Sequence, residues 1–127
     1  MSLTTLNIEP TSFTPGVKFD PSAGELVIKG RSITENASEF YNPLIDWVKS
    51  YIENPAGSTT VDVYFDYLNT SSSKSLMHLF NILGTIPGKE VSINWLHKKD
   101  DEAMKEAGED FNTIVNLPFN IVGTDSH

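Results

Sequence analysis

Four consecutive hydroxyl side chains, Thr70-Ser71-Ser72-Ser73, stand between Asn69 and Lys74. Hydroxyls crowded between an amide and an ammonium group suit three kinds of chemistry. They cap helices, accept phosphoryl groups and contact bound phosphate. The flanking residues decide where they sit. Val61 to Phe65 reads as a strand and Leu76 to Leu83 as a helix. The hydroxyls therefore occupy a strand-to-helix junction, where unpaired N–H groups and a partial positive charge favour an oxygen acceptor or an anion. Asn69, Thr70 and Ser71 are all good capping residues, and Ser72 and Ser73 are then expected as solvated first-turn positions. A cap is the commoner role for such a cluster; a phosphoacceptor is the more consequential one.

Other reactive groups are scattered. His78, His97 and His127 share no metal-ligand spacing, and His78 is expected at a helix surface or boundary rather than as a ligand. Asp62 and Asp66 lie four apart on a strand and point to one face, which suits a magnesium pair or two solvated carboxylates. The Asn69–Lys74 block has a lysine among hydroxyls but lacks the glycines of a loop that wraps a nucleotide phosphate. No nucleophile-elbow pattern is present. With no cysteine, disulfides and thiol nucleophiles are excluded. A small phosphate-ligand protein using Asp62, Asp66 and Lys74 is the enzyme-like reading the residues leave open. No catalytic residue, metal or cofactor is expected.

The chain that must position these groups has 127 residues, 39% of them hydrophobic and 10% aromatic, enough for one core. A single domain over residues 1–127 is expected. The net charge of −8 disfavours nucleic acid and anionic membranes as partners. Lysines cluster only at Lys98-Lys99, and Asp100-Asp101-Glu102 follow at once. Met1 to Thr5 has neither a basic region nor an apolar signal core, and no segment is long enough to span a bilayer. A cytoplasmic location is the expectation.

Leu6 to Ile8, Val17 to Phe19 and Glu25 to Lys29 read as strands, the last ended by Gly30. Asp20 to Gly24 is a turn, so the runs flanking it are expected to pair as a hairpin. Asn36 or Ser38 starts a helix whose inner face is Tyr41, Leu44, Ile45, Val48 and Ile52, with Phe40 and Trp47 beside it. Asn36 and Glu39 have capping-box spacing. Pro43 is expected to start or bend this helix, with Asn42 as an alternative cap. Thr59 to Leu68 is the clearest strand. Its alternation puts Val61, Val63, Phe65 and Tyr67 on one face and Tyr64 and Leu68 on the other, as for a central strand covered on both sides. The next helix turns Leu76, Leu79, Phe80 and Leu83 inward and ends at Gly84. Pro87-Gly88 reads as a turn, Val91 to Trp95 as a strand, and a third helix begins near Asp100. Met104, Ala107, Gly108, Phe111 and Val115 form its apolar side, and Phe119 to Val122 is a last strand. Strands alternating with helices, preceded by a hairpin, give an α/β fold with a mixed sheet and about three helices packed on it.

Several blocks in fixed order also carry a family likeness. They are Glu35-Asn36 with Glu39, then Ile45-Asp46-Trp47-Val48; Tyr67-Leu68-Asn69-Thr70-Ser71-Ser72; Val91-Ser92-Ile93-Asn94-Trp95; and Phe111 followed by Pro118-Phe119-Asn120-Ile121. Across nearly the whole chain they resemble the SiaC family of bacterial regulatory phosphoproteins, most specifically in the Leu-Asn-Thr-Ser-Ser block. The resemblance implies a fold like the STAS domains of anti-sigma factor antagonists, and a partner-switching role without catalysis. It implies that Thr70 is phosphorylated by a SiaB-type kinase and dephosphorylated by a SiaA-type PP2C phosphatase. The unphosphorylated form would bind and activate a SiaD-type GGDEF diguanylate cyclase, which makes cyclic di-GMP for aggregation and biofilm formation. Asn69, Ser71, Ser72 and Lys74 would then lie in the partner-binding surface around Thr70. The competing reading is a constitutive STAS-like scaffold in which Thr70 only caps a helix.

Overall fold

The computed structural model describes residues 3–86 and 90–125. The Pro87-Gly88 turn and His127 lie outside the described residues. Nine elements follow one another: β1 (Leu6–Ile8), β2 (Gly16–Asp20), β3 (Glu25–Ser32), α1 (Ala37–Tyr51), β4 (Ser58–Leu68), α2 (Thr70–Leu83), β5 (Glu90–Lys98), α3 (Glu102–Ile114) and β6 (Phe119–Thr124). The six strands form one mixed sheet whose spatial order is their chain order. β1, β2 and β3 pair antiparallel, so the expected hairpin across Asp20 to Gly24 is present. β3, β4, β5 and β6 pair in parallel.

That order explains the layering. Each new parallel strand is added on the same side of the last, and right-handed crossovers then send every connecting helix to the same face. Trp47 of α1 packs on Phe19, Phe80 of α2 on Phe119, and Phe111 of α3 on Trp95. Their strand partners, Phe19, Leu26, Val61, Ile93 and Phe119, share one side through the pairing register. One buried cluster runs from Val17 and Phe19 through Val63 and Trp95 to Phe111 and Val115. Among the described residues the other sheet face carries no helix. The expectation that β4 is covered on both sides is therefore corrected. Tyr64 is buried on the open face because Lys29 lies over its ring and its hydroxyl bonds Thr124 at 2.9 Å. Among the described residues no helix is long and apolar enough to cross a membrane.

Further expectations are corrected for local reasons. Gly30 does not end β3; with φ of 132° it lets the strand continue to Ser32. Just beyond it the register slips. Gly30 pairs with Phe65 but Arg31 pairs with Tyr67, which leaves Asp66 as an extra residue on β4. Such a bulge reverses the alternation. Tyr67 consequently leaves the core face, 56% exposed, while Leu68 turns to pack against the core. Pro43 lies inside α1 and neither starts nor ends it. The cap is Asn36, whose Oδ1 accepts from the Glu39 N–H while its Nδ2 donates to the Glu39 carboxylate. Pro43 is tolerated because it sits on the exposed side. The Glu39 carbonyl, deprived of its usual donor, belongs to an exposed residue and can bind water.

Buried hydroxyls tie α1 to the sheet. Tyr41 and Ser32 share a 2.8 Å hydrogen bond, and Tyr51 and Thr59 one of 2.7 Å. Burial pushes the Tyr41 hydroxyl up to about 12, opposed in part by its bond to Ser32. α3 approaches β5 closely enough that a Cβ on Gly108 would stand 2.5 Å from Cδ1 of Trp95. The Trp95 indole N–H donates to the Met104 carbonyl at 2.9 Å.

Candidate functional site

Asn69 builds the junction between β4 and α2. Its backbone is extended, its Oδ1 accepts from the Ser72 N–H at 2.9 Å, and its carbonyl accepts from the Ser73 N–H. Its own N–H donates to the Ser32 carbonyl and its Nδ2 to the Thr34 carbonyl at 3.0 Å. The cap is thus clamped to the end of β3, and the start of α2 is fixed relative to the sheet. Of the three candidate caps in the sequence, Asn69 takes the role, which releases Thr70 from it.

The four hydroxyls that look alike in the sequence separate into different environments. Thr70, the first residue of α2, and Ser71 are exposed. Ser72 is 0% exposed, and its Oγ has no hydrogen-bond partner among the described residues. Ser73 is half-buried and donates its hydroxyl to the Asn69 carbonyl at 3.0 Å. The expectation that Ser72 and Ser73 are solvated is therefore corrected. The first turn of a helix still has an inner side, and residue 72 falls on it with Leu76, Leu79 and Phe80. A kinase can reach only a hydroxyl that faces solvent, so Thr70 and Ser71 are the accessible acceptors in the block.

Thr70, Ser73, Lys74 and Met77 form a stripe along α2 at helical spacing. Across from it, Ala107, Asp110, Phe111 and Ile114 form a stripe of the same spacing on α3. Between the two lies a groove of about 350 Å³. Ser71 is not among its lining residues, so Thr70 is the accessible hydroxyl that faces the groove. Ile114 is 66% exposed at its far end. The α3 half of this groove escaped the sequence reading. The signal was present in Ile114, an apolar residue three past Phe111 that the inward set of α3 does not use.

A second cavity, about 670 Å³, opens at the carboxyl ends of the parallel strands and shares Ser73 and Ala107 with the groove. Arg31, Asp66, Tyr67, Lys98 and Asp101 line its polar side. The Arg31 guanidinium lies 4.5 Å from the Tyr67 ring centroid, and Arg31 Nε donates to the Ser12 carbonyl. Lys98 Nζ is 3.7 Å from Asp66 Oδ1. The Arg31–Tyr67 contact was invisible in the sequence because the Asp66 bulge creates it.

The remaining candidates are dispersed. Asp62 accepts from Asn94 at 2.8 Å, and Asp66 faces Lys98, so the two aspartates have different partners. His78 is exposed on α2, while His97 is buried with Nδ1 2.7 Å from the Lys98 carbonyl. Lys74 is exposed and lines the α2–α3 groove, whereas Asp66 lines the second cavity. Among the described residues no group of three or more His, Cys, Asp or Glu side chains is placed to hold a metal ion.

Comparison with known proteins agrees with this fold. An uncharacterised protein of Pseudomonas aeruginosa strain UCBPP-PA14 is 33% identical over 122 residues, covering 94% of this chain and 97% of the relative. The crystal structure of apo-SiaC from Pseudomonas aeruginosa matches with a TM-score of 0.84 at 33% identity, over 95% of this chain and 98% of that one. The crystal structure of the diguanylate cyclase SiaD in complex with its activator SiaC, from the same species, matches with a TM-score of 0.87 at 32% identity, over 94% of this chain and 99% of that one. The model of the SiaC family regulatory phosphoproteins matches residues 8–124. The chain belongs to the SiaC family of regulatory phosphoproteins.

Proposed function

We propose that this protein is a phosphorylation-controlled partner switch with no catalysis of its own. Unphosphorylated, it binds and activates a diguanylate cyclase; phosphorylation of Thr70 turns it off. A SiaB-type kinase and a SiaA-type PP2C phosphatase set the balance. The setting is cytoplasmic, because kinase and cyclase consume ATP and GTP.

The observation that carries the proposal is the division of labour between Asn69 and Thr70. Asn69 holds the helix, and Thr70 stands exposed in front of the α2–α3 groove. A phosphate there adds about −1.5 to −2 charges at a helix end that tolerates anions, so the fold survives. The same phosphate under a bound partner must be stripped of water. Stripping water from a charge costs several kcal/mol even beside a counter-ion, and about 1.4 kcal/mol is already a tenfold loss of affinity. Asn69, Ser71 and Lys74 flank Thr70 on the accessible surface and belong to the proposed contact; Ser72, fully buried, supports it from beneath.

Calorimetry with the cyclase partner provides the test. Wild type and Thr70→Ala should bind alike, while Thr70→Asp and enzymatically phosphorylated protein should bind at least tenfold more weakly. Equal binding by all four would remove the switch and leave a constitutive scaffold.

A further inference from the structure

We infer that Lys74 is the built-in counter-ion of a phosphate on Thr70. The inference rests on the reading of Thr70 as the phosphoacceptor and names the residue through which the chain itself holds the modified state. Thr70 and Lys74 are four residues apart on α2, are both exposed and line the same groove. At that spacing side chains are neighbours on a helix surface, and an anion on the N-terminal side of a cation is the favourable order. No carboxylate competes from the first turn of α2, which has no acidic residue.

Three other cations at this end of the sheet are already engaged. Lys98 is paired with Asp66, Lys99 Nζ is 3.1 Å from Asp125, and the Arg31 guanidinium rests on Tyr67. Lys74 makes no ion pair with any described residue, and Asp110 is the one carboxylate lining its groove. A phosphate on Thr70 outbids Asp110, since it carries nearly twice the charge and three acceptor oxygens. The resulting bridge lies along the α2 stripe. It presents a partner with a paired, water-holding cluster in place of a free ammonium group and a small hydroxyl.

Phosphothreonine is installed at residue 70 of the full chain during translation, without a kinase, and its phosphate is titrated by ³¹P NMR. Lys74→Gln should raise the second phosphate pKa by roughly 0.15–0.4 unit, the i,i+4 ion-pair effect of the one charge gained in that step. Lys74→Arg should restore the wild-type value, and about 1 M salt should remove most of the difference. Lys105→Gln, an exposed lysine of α3 outside the groove, should leave the titration unchanged. The same pKa in wild type and Lys74→Gln, or an equal shift from Lys105→Gln, would overturn the assignment. That failure would leave the switch standing. Equal cyclase binding by modified and unmodified protein would instead remove the switch and leave the ion pair intact.

Discussion

Replacing Asn69 and Thr70 by alanine should give opposite results, although the two residues are adjacent and both are capping types. Asn69→Ala removes the Oδ1 that accepts from the Ser72 N–H at 2.9 Å and the Nδ2 that donates to the Thr34 carbonyl at 3.0 Å. The first loss is an N-cap, typically about 1 kcal/mol. The second is a partly buried hydrogen bond, up to about 1 kcal/mol more. The sum, about 2 kcal/mol, lowers Tm by roughly 6–10 °C in a chain of this size. Thr70→Ala loses an exposed side chain at the first helical position, so its effect should stay within about 0.5 kcal/mol. Asn69→Asp keeps the acceptor and adds a charge that suits the helix end, and should melt within about 1 kcal/mol of wild type. Calorimetric melts or urea titrations of the four proteins supply the values. A Thr70→Ala protein that melts as low as Asn69→Ala would show that Thr70 itself holds the helix. It would then no longer be a residue that can change its chemistry without disturbing the fold.

Ser72→Ala should be neutral or stabilise by up to about 1 kcal/mol, because it removes a buried Oγ without a partner; a clear loss of stability in urea would show that the hydroxyl is satisfied. Gly108→Ala should cost about 1–3 kcal/mol and change Trp95 fluorescence, since the new methyl group meets the indole ring. Tyr41 gives a pH dependence. Its folded-state pKa, about 12, lies above the ordinary 10.0, so between those values the unfolded chain ionises first and stability falls as pH rises. The loss is on the order of 2 kcal/mol across that window and absent below pH 9 or so. Tyr41→Phe should flatten this alkaline slope in urea titrations while costing about 1 kcal/mol at neutral pH, where Ser32 loses its partner.

The sequence and the structure part company at particular residues. Element identity was legible wherever an apolar period was long. Val61, Val63 and Phe65 are buried on β4, and Leu76, Leu79, Phe80 and Leu83 on α2, as their spacing requires. The hairpin was legible from the turn at Asp20 to Gly24. Pro43 does not start α1, because local propensity says nothing about which side of a helix meets water. Tyr67 misled because strict alternation assumes an unbroken ladder, and one extra residue reverses it. At the candidate site, the position of Thr70 was legible, but its freedom from capping was not. Three neighbouring side chains can all cap a helix, and the choice of Asn69 follows from a long-range bond to the Thr34 carbonyl. The second wall of the groove comes from α3, distant in the chain, and only packing brings it opposite α2.

The extra residue in β4 also sets a rule about chain length. Between Phe65, locked in the core, and Asn69, clamped to β3, every position is counted. Removing Asp66 would keep nearly the same composition yet return Tyr67 to the core side, turn Leu68 outward and change the phase at which α2 leaves the sheet. The stretch between α1 and β4, from Glu53 to Gly57, is held more loosely: Glu53, Asn54 and Gly57 are exposed, and the Ala56 N–H donates to the Tyr51 hydroxyl at 3.2 Å. Insertions and deletions should therefore be tolerated there and purged from residues 65 to 70, even where individual side chains in that window can be exchanged. The spacing of the segment, more than its spelling, is what evolution has to preserve.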